Sequence, residues 1–145
     1  MVLTLSIPKD VVNTFNASGA TKILCTIDAE GDVHAAPLGS LRAAPEGSML
    51  TFNESATVGT PKRLVYMKKN GKTAVAVAIA RFEESVKGFC VRCDVGESLT
   101  SGSIYNESAE RSVKAGRRKP KAVWILYPVS YKICAGPDQG KIIKC

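Results

Sequence analysis

Apolar and polar residues alternate along most of the chain, and a helical spacing replaces that pattern in a few short stretches. Lys22 to Asp28 (KILCTID) alternates as a strand, and Ala29-Glu30-Gly31-Asp32 supplies a turn whose glycine suits positive φ. The returning strand, Val33 to Leu41, consists mostly of small residues. Ser48 to Asn53 predicts a third strand after the Pro45-Glu46-Gly47 turn, and Thr73 to Ala80 (TAVAVAIA) is a β-prone run expected to be buried. Val86 to Leu99 and Ala122 to Cys134 supply the fifth and sixth strands. The helical spacing falls at Pro8 to Asn16, with Val11, Val12 and Phe15 on one face, and at Pro61 to about Lys69, ended by Asn70-Gly71. Ser108 to Lys114 predicts a further short helix with Ala109 and Val113 inward. Six strands and two or three short helices imply a mainly β, largely antiparallel barrel in one domain over residues 1–145.

Two places depart from what such a barrel needs for its own stability. The strand containing Ala35, Ala36, Pro37, Leu38, Gly39 and Ser40 buries little area, and its proline removes a ladder donor. Small side chains let a flat ring approach the backbone, whose N–H and C=O groups can bond the ring's polar edge. Close packing of neighbouring backbone is the plainer use of such a strand. The second place is the start of the helix at Thr60-Pro61-Lys62-Arg63. Thr60 is a good N-cap and Pro61 suits the first helical position, yet the first turn carries two cations where the helix dipole favours anions. A phosphate would meet free N–H groups, the hydroxyls of Thr57 and Thr60, and the charges of Lys62 and Arg63 at one point. A solvated basic helix start, with Lys68, Lys69 and Lys72 nearby, is the alternative.

Composition narrows the function classes. The 145 residues, 45% apolar and 23% charged, suit one soluble globular domain with a sizeable core. No apolar run is long enough to span a bilayer and no leader pattern opens the chain, so a cytoplasmic location is expected. The five cysteines have no framework spacing, which suits a reducing compartment. Cys90 and Cys93 have a redox or zinc spacing, but Phe89, Val91, Cys93 and Val95 alternate as on a strand, so the two thiols should face opposite ways. With His34 the lone histidine, a four-ligand zinc site lacks partners, and no metal is expected. Much of the net charge of +7 is concentrated in Arg111, Lys114, Arg117, Arg118, Lys119 and Lys121. Such a stretch could neutralise nucleic-acid phosphates, hold one small anion, or be a solvated connection. It carries no interleaved aromatics for base stacking, which makes nucleic acid the weaker reading.

The hairpin Leu24 to Pro37, the strand Leu50-Thr51-Phe52-Asn53, the Thr60-Pro61-Lys62-Arg63-Leu64 turn and helix ending at Asn70, the strand at Thr73 and the glycine-led strand Gly88-Phe89-Cys90-Val91 follow one another in an order that resembles the FMN-binding split-barrel superfamily, which includes pyridoxamine 5'-phosphate oxidase. The resemblance runs from about Ile7 to Tyr131. It implies a six-stranded antiparallel split barrel of Greek-key type and a homodimer holding FMN at the subunit interface. It implies further that Thr57, Thr60, Lys62 and Arg63 hold the phosphate, that Ala36, Pro37, Leu38, Gly39 and Ser40 lie along the ring and ribityl chain, and that Asn53 lies close by. On the same resemblance Trp124 is expected at the interface near the partner's flavin, with a core tryptophan as the alternative, and Lys119 and Lys121 could reach the phosphate across the dimer.

Two departures from the oxidases stand out. The second strand offers Ala35, Ala36 and Leu38 where they carry an arginine and a lysine, and Gly140 to Cys145 lacks their C-terminal arginine motif, so that oxidase reaction is not expected. A flavoprotein acting as electron carrier or oxidoreductase is the first reading. The same fold holding a deazaflavin coenzyme or haem, and a basic polyanion-binding module, are the alternatives; haem would need His34 or a cysteine as axial ligand.

Overall fold

In the computed structural model the described residues are 6–55 and 59–136, with the backbone of 142–144. The element order is α1 (Lys9–Asn16), β1 (Thr21–Ile27), β2 (Val33–Pro37), β3 (Arg42–Ala43), β4 (Leu50–Glu54), α2 (Gly59–Lys69), β5 (Thr73–Phe82), β6 (Ser85–Leu99), α3 (Ser103–Lys114), β7 (Ala122–Ala135) and β8 (Ile142–Lys144). All pairings are antiparallel, in the order β2-β1-β5-β6-β7-β4-β3, with β8 added to β7.

The two ends of this seven-strand path are consecutive in sequence. An extended chain from Pro37 to Arg42 spans at most about 18 Å, whereas the outer strands of a flat sheet this size would lie about 29 Å apart. The sheet therefore curls until its edges nearly meet, with the residues between β2 and β3 bridging the gap. This is an open, split barrel. It has two more strands than the six expected: β8 is an addition to them, and the single strand Val33 to Leu41 is broken, because Pro37 has no N–H to donate, Leu41 N donates to Leu38 O (3.1 Å), and β3 begins anew at Arg42. A bulge in β7 leaves Val129 unpaired opposite Arg92/Cys93 of β6, next to Pro128, which likewise has no N–H to donate.

Helices close the barrel at both ends. α1 packs by the turn joining β5 and β6, and buries Val11, Val12 and Phe15. α2 lies at the opposite end, where Met67 Sδ accepts from Ile27 N (3.5 Å) and Lys68 Nζ donates to Gly96 O (3.1 Å). Between them Leu24, Leu41, Leu50, Phe52, Leu64, Phe89, Val91, Cys93 and Leu126 form one core. α1 begins at Lys9, with Pro8 in the capping position, one residue later than expected; α3 begins at Ser103, five residues earlier.

The strand β5 departs from expectation in an informative way. Its alanines Ala74, Ala76, Ala78 and Ala80 point into the core, while the larger Val75 and Val77 are half-buried and Ile79 is 38% exposed on the outer face. Register places Ile23 beside Val77, Cys25 beside Val75 and Cys90 across from Val77, so the outer face is apolar across three strands. Cys93 is buried in the core and Cys90 lies on this outer face, as the alternation required.

The β1–β2 turn is organised by Asp28, whose Oδ1 accepts from the backbone N–H of Glu30 and Asp32 (3.0 Å each) and whose Oδ2 lies 2.9 Å from His34 Nε2. The His34 bond first, then the Asp32 amide, holds the carboxyl below its ordinary range. A depressed folded pKa favours folding above the unfolded carboxyl range, and the gain is lost as pH falls through the folded value. In an NMR titration Asp28 should ionise below a model carboxylate, and His34→Ala should move its midpoint up.

Candidate functional site

Pro37, Leu38, Gly39, Ser40 and Asn53 line one cleft of about 420 Å³, within the range for a small-molecule site. Two strand ends are tied together there, because Ser40 Oγ accepts from Asn53 N at 2.9 Å and Leu38 N donates to Lys22 O at 3.0 Å. The glycine matters. A Cβ built at Gly39 meets nothing closer than Arg117 Nη1 at 3.9 Å, so its backbone is open for a flat group to approach. Ala36, opposite Leu24, is half-buried just before this segment.

The other wall of the cleft comes from the end of α3 and the loop to β7. Arg111, Arg117, Arg118 and Lys119 line it, facing Lys22 and Arg42. Lys121 does not line the cleft; its backbone N donates to Glu54 O (2.8 Å). Arg42 and Lys22 lie far from the basic stretch in sequence, and no local pattern marks them as part of a site. A more open concavity of about 760 Å³ beside α1 mixes Lys9, Arg81 and Lys87 with Asp10 and Glu83 around the β5–β6 turn. Its three cations and two carboxylates nearly balance, so it lacks the concentrated positive charge of the cleft.

The helix start forms a second cationic centre, separate from the cleft. α2 opens at Gly59, so Thr60 sits inside the first turn and not at the N-cap as expected. Its hydroxyl accepts from Arg63 Nη2 at 3.2 Å, and Arg63 Nε donates to Thr26 Oγ1 of β1 at 2.8 Å. Thr26 and Thr60 are both buried. The guanidinium lies across Gly59, where an added Cβ would come within 2.8 Å of Nη1. Arg63 is thus held at the helix start with donors to spare, and Lys62 is exposed beside it. Residues Thr60, Lys62 and Arg63 do not line the cleft of Pro37 to Ser40. Thr57 lies outside the described residues.

Trp124 is 6% exposed, pairs with Phe52 across β4 and β7, and donates from Nε1 to Glu54 Oε1 at 2.9 Å. Its edge reaches a small surface concavity beside Val65 of α2, away from the cleft.

The thiols are tuned away from reactivity. Burial, then the neighbouring Cys134, pushes Cys90 up to about 11, and burial raises Cys25. At neutral pH both are protonated and poor nucleophiles. Iodoacetamide at pH 7.5 should therefore label Cys25 and Cys90 much more slowly than free cysteine, as read by peptide mass spectrometry.

No protein-family model matches the chain, and no curated protein matches it. Solved structures do. An FMN-binding protein from Syntrophomonas wolfei is 16% identical with a TM-score of 0.68, covering 87% of this chain and 84% of that one. An F420 reductase is 13% identical with a TM-score of 0.62, covering 87% and 98%. A heme binding protein from Mycobacterium smegmatis is 14% identical with a TM-score of 0.65, covering 97% of this chain and 60% of that one. The fold is therefore a split barrel, also found in a putative pyridoxamine 5'-phosphate oxidase from Lactobacillus delbrueckii. Among the described residues no helix is long and apolar enough to cross a membrane.

Proposed function

We propose that this chain binds a flavin-type cofactor, FMN first, between two copies of itself and acts as an electron carrier or oxidoreductase. One observation carries the reading: the small-residue segment Pro37 to Ser40 and Asn53 line a single cleft with open backbone at Gly39, inside a fold shared with an FMN-binding protein. FMN would supply the redox chemistry when bound. Residues of this chain would do the rest, with Gly39 admitting the ring to the backbone and Lys62 and Arg63 neutralising the phosphate. The homodimer is supported by the outer face of β5. A strand that directs alanines inward and Val75, Val77 and Ile79 outward gains from cover on both faces.

A deazaflavin coenzyme is the second reading, because an F420 reductase has the same fold. Haem is less favoured by the donor set: His34 stands on the β1–β2 hairpin outside the cleft lining, and Cys25 and Cys90 are held as thiols. The test is an equilibrium titration with FMN followed by flavin fluorescence, together with sedimentation of the protein. Saturable one-per-subunit binding by a dimer is expected. A monomer that leaves FMN fluorescence unchanged would defeat the reading.

A further inference from the structure

The cleft contains more positive charge than a single cofactor phosphate at the helix start can use. Lys22 from β1, Arg42 from β3, Arg111 from α3, and Arg117, Arg118 and Lys119 from the following loop converge on it, and no carboxylate lines it. Among the described residues no ion pair engages any of the six, and the single charged pair found is His34 with Asp28 on the distant turn. Arg111 Nη2 donates to Ser108 Oγ (3.0 Å), which satisfies one N–H and leaves the charge uncompensated. Burial first, then the neighbouring Arg42, lowers the pKa of Lys22 and of Arg111; Glu107 offsets this in part at Arg111 from outside the cleft lining.

Surface lysines and arginines normally spread apart in water. Here cations from four separate parts of the chain are brought to one concave place, at a cost in repulsion that the folded chain does not relieve by itself. We infer that this cleft is a second anion site, distinct from the helix start, for a small molecule carrying two or more adjacent negative groups such as a pyrophosphate, a phosphate ester or a polycarboxylate. Size and shape favour a small ligand over a polymer. The cations converge on about 420 Å³ and are not strung along a surface, and no aromatic residue lines the cleft for base stacking. Ser40 in the same lining supplies a hydroxyl for a remaining anionic oxygen, since its Oγ accepts from Asn53 N and keeps its proton to donate.

The test uses inorganic pyrophosphate as probe, titrated calorimetrically into the full chain as purified, with orthophosphate as the comparison. Saturable one-to-one binding is expected, at least about tenfold tighter for pyrophosphate than for orthophosphate. Arg42→Gln and Arg111→Gln should each weaken it about tenfold or more, while Lys62→Ala leaves it within about twofold. Arg42→Gln should also raise the melting temperature of the ligand-free protein at low salt, which a variant that merely damages the fold cannot do. Absence of saturable binding overturns the inference, as does sensitivity to Lys62→Ala in place of Arg42→Gln. Displacement of pyrophosphate by FMN but not by riboflavin overturns it too, since the cleft would then hold the cofactor's own phosphate. Displacement by short single-stranded DNA with a steep salt dependence would transfer the site to nucleic acid. Because the heat of pyrophosphate binding is read independently of any flavin signal, failure here is separable from failure of the flavin reading.

Discussion

Gly47→Ala should destabilise the protein by about 3 kcal/mol or more, lowering its melting temperature by roughly 6–12 °C. Gly47 has a φ of +78°, where an L side chain is itself strained by about 1 kcal/mol. The larger effect is steric. A Cβ there would collide with the carbonyl oxygen of Ile7 and lie 3.1 Å from its nitrogen, and both contacts are backbone. Those same two residues are joined by the bond from Ile7 N to Gly47 O at 2.9 Å. Relief would move Ile7, which is buried, and with it the entry into α1, whose Val11 and Phe15 fill one end of the core. Urea denaturation measures the loss. A change within about 0.5 kcal/mol would mean that the α1 entry is not held as described.

The second large effect concerns the ligand. Lys62→Ala should weaken FMN about 10- to 100-fold while changing riboflavin by less than about twofold, because a charge-assisted bond contributes roughly 1.5–3 kcal/mol and riboflavin has no phosphate to lose it. Lys62 is the better substitution for this purpose. Arg63 also holds Thr26 and Thr60, so its removal would orphan two buried hydroxyls and confuse binding with stability. Lys62 is exposed and its truncation leaves the helix start intact. Equal weakening of both ligands would place the phosphate elsewhere, with the Arg42 cleft as the next position to examine.

What the sequence reveals of this molecule follows from how local each signal is. The strands β1, β4, β5, β6 and β7 are legible within a few residues because alternation and turn residues are written into adjacent positions, as in Phe89, Val91, Cys93 and Val95. The break between β2 and β3 is less so. It depends on a turn at Leu38 to Leu41 that forms because the sheet must curl, and small residues there read equally well as strand. The start of α2 at Gly59 lies two residues before the expected Pro61, and the Thr60 hydroxyl, expected to cap the helix, accepts from Arg63. Which side of β5 faces the core could not be read from TAVAVAIA, since both phases of the alternation are apolar. Of the cleft lining, Pro37 to Ser40 are legible from the absence of side chains to pack, and Asn53 from the family resemblance alone. Lys22 and Arg42 are not, because their meeting with Arg111 is a product of three elements that sequence spacing does not connect.

The visible absorption spectrum of freshly purified protein, followed by denaturation and identification of what is released, tests the central claim most directly. A flavin-type spectrum and release of FMN are expected. A colourless protein that takes up neither FMN nor a deazaflavin would contradict the account.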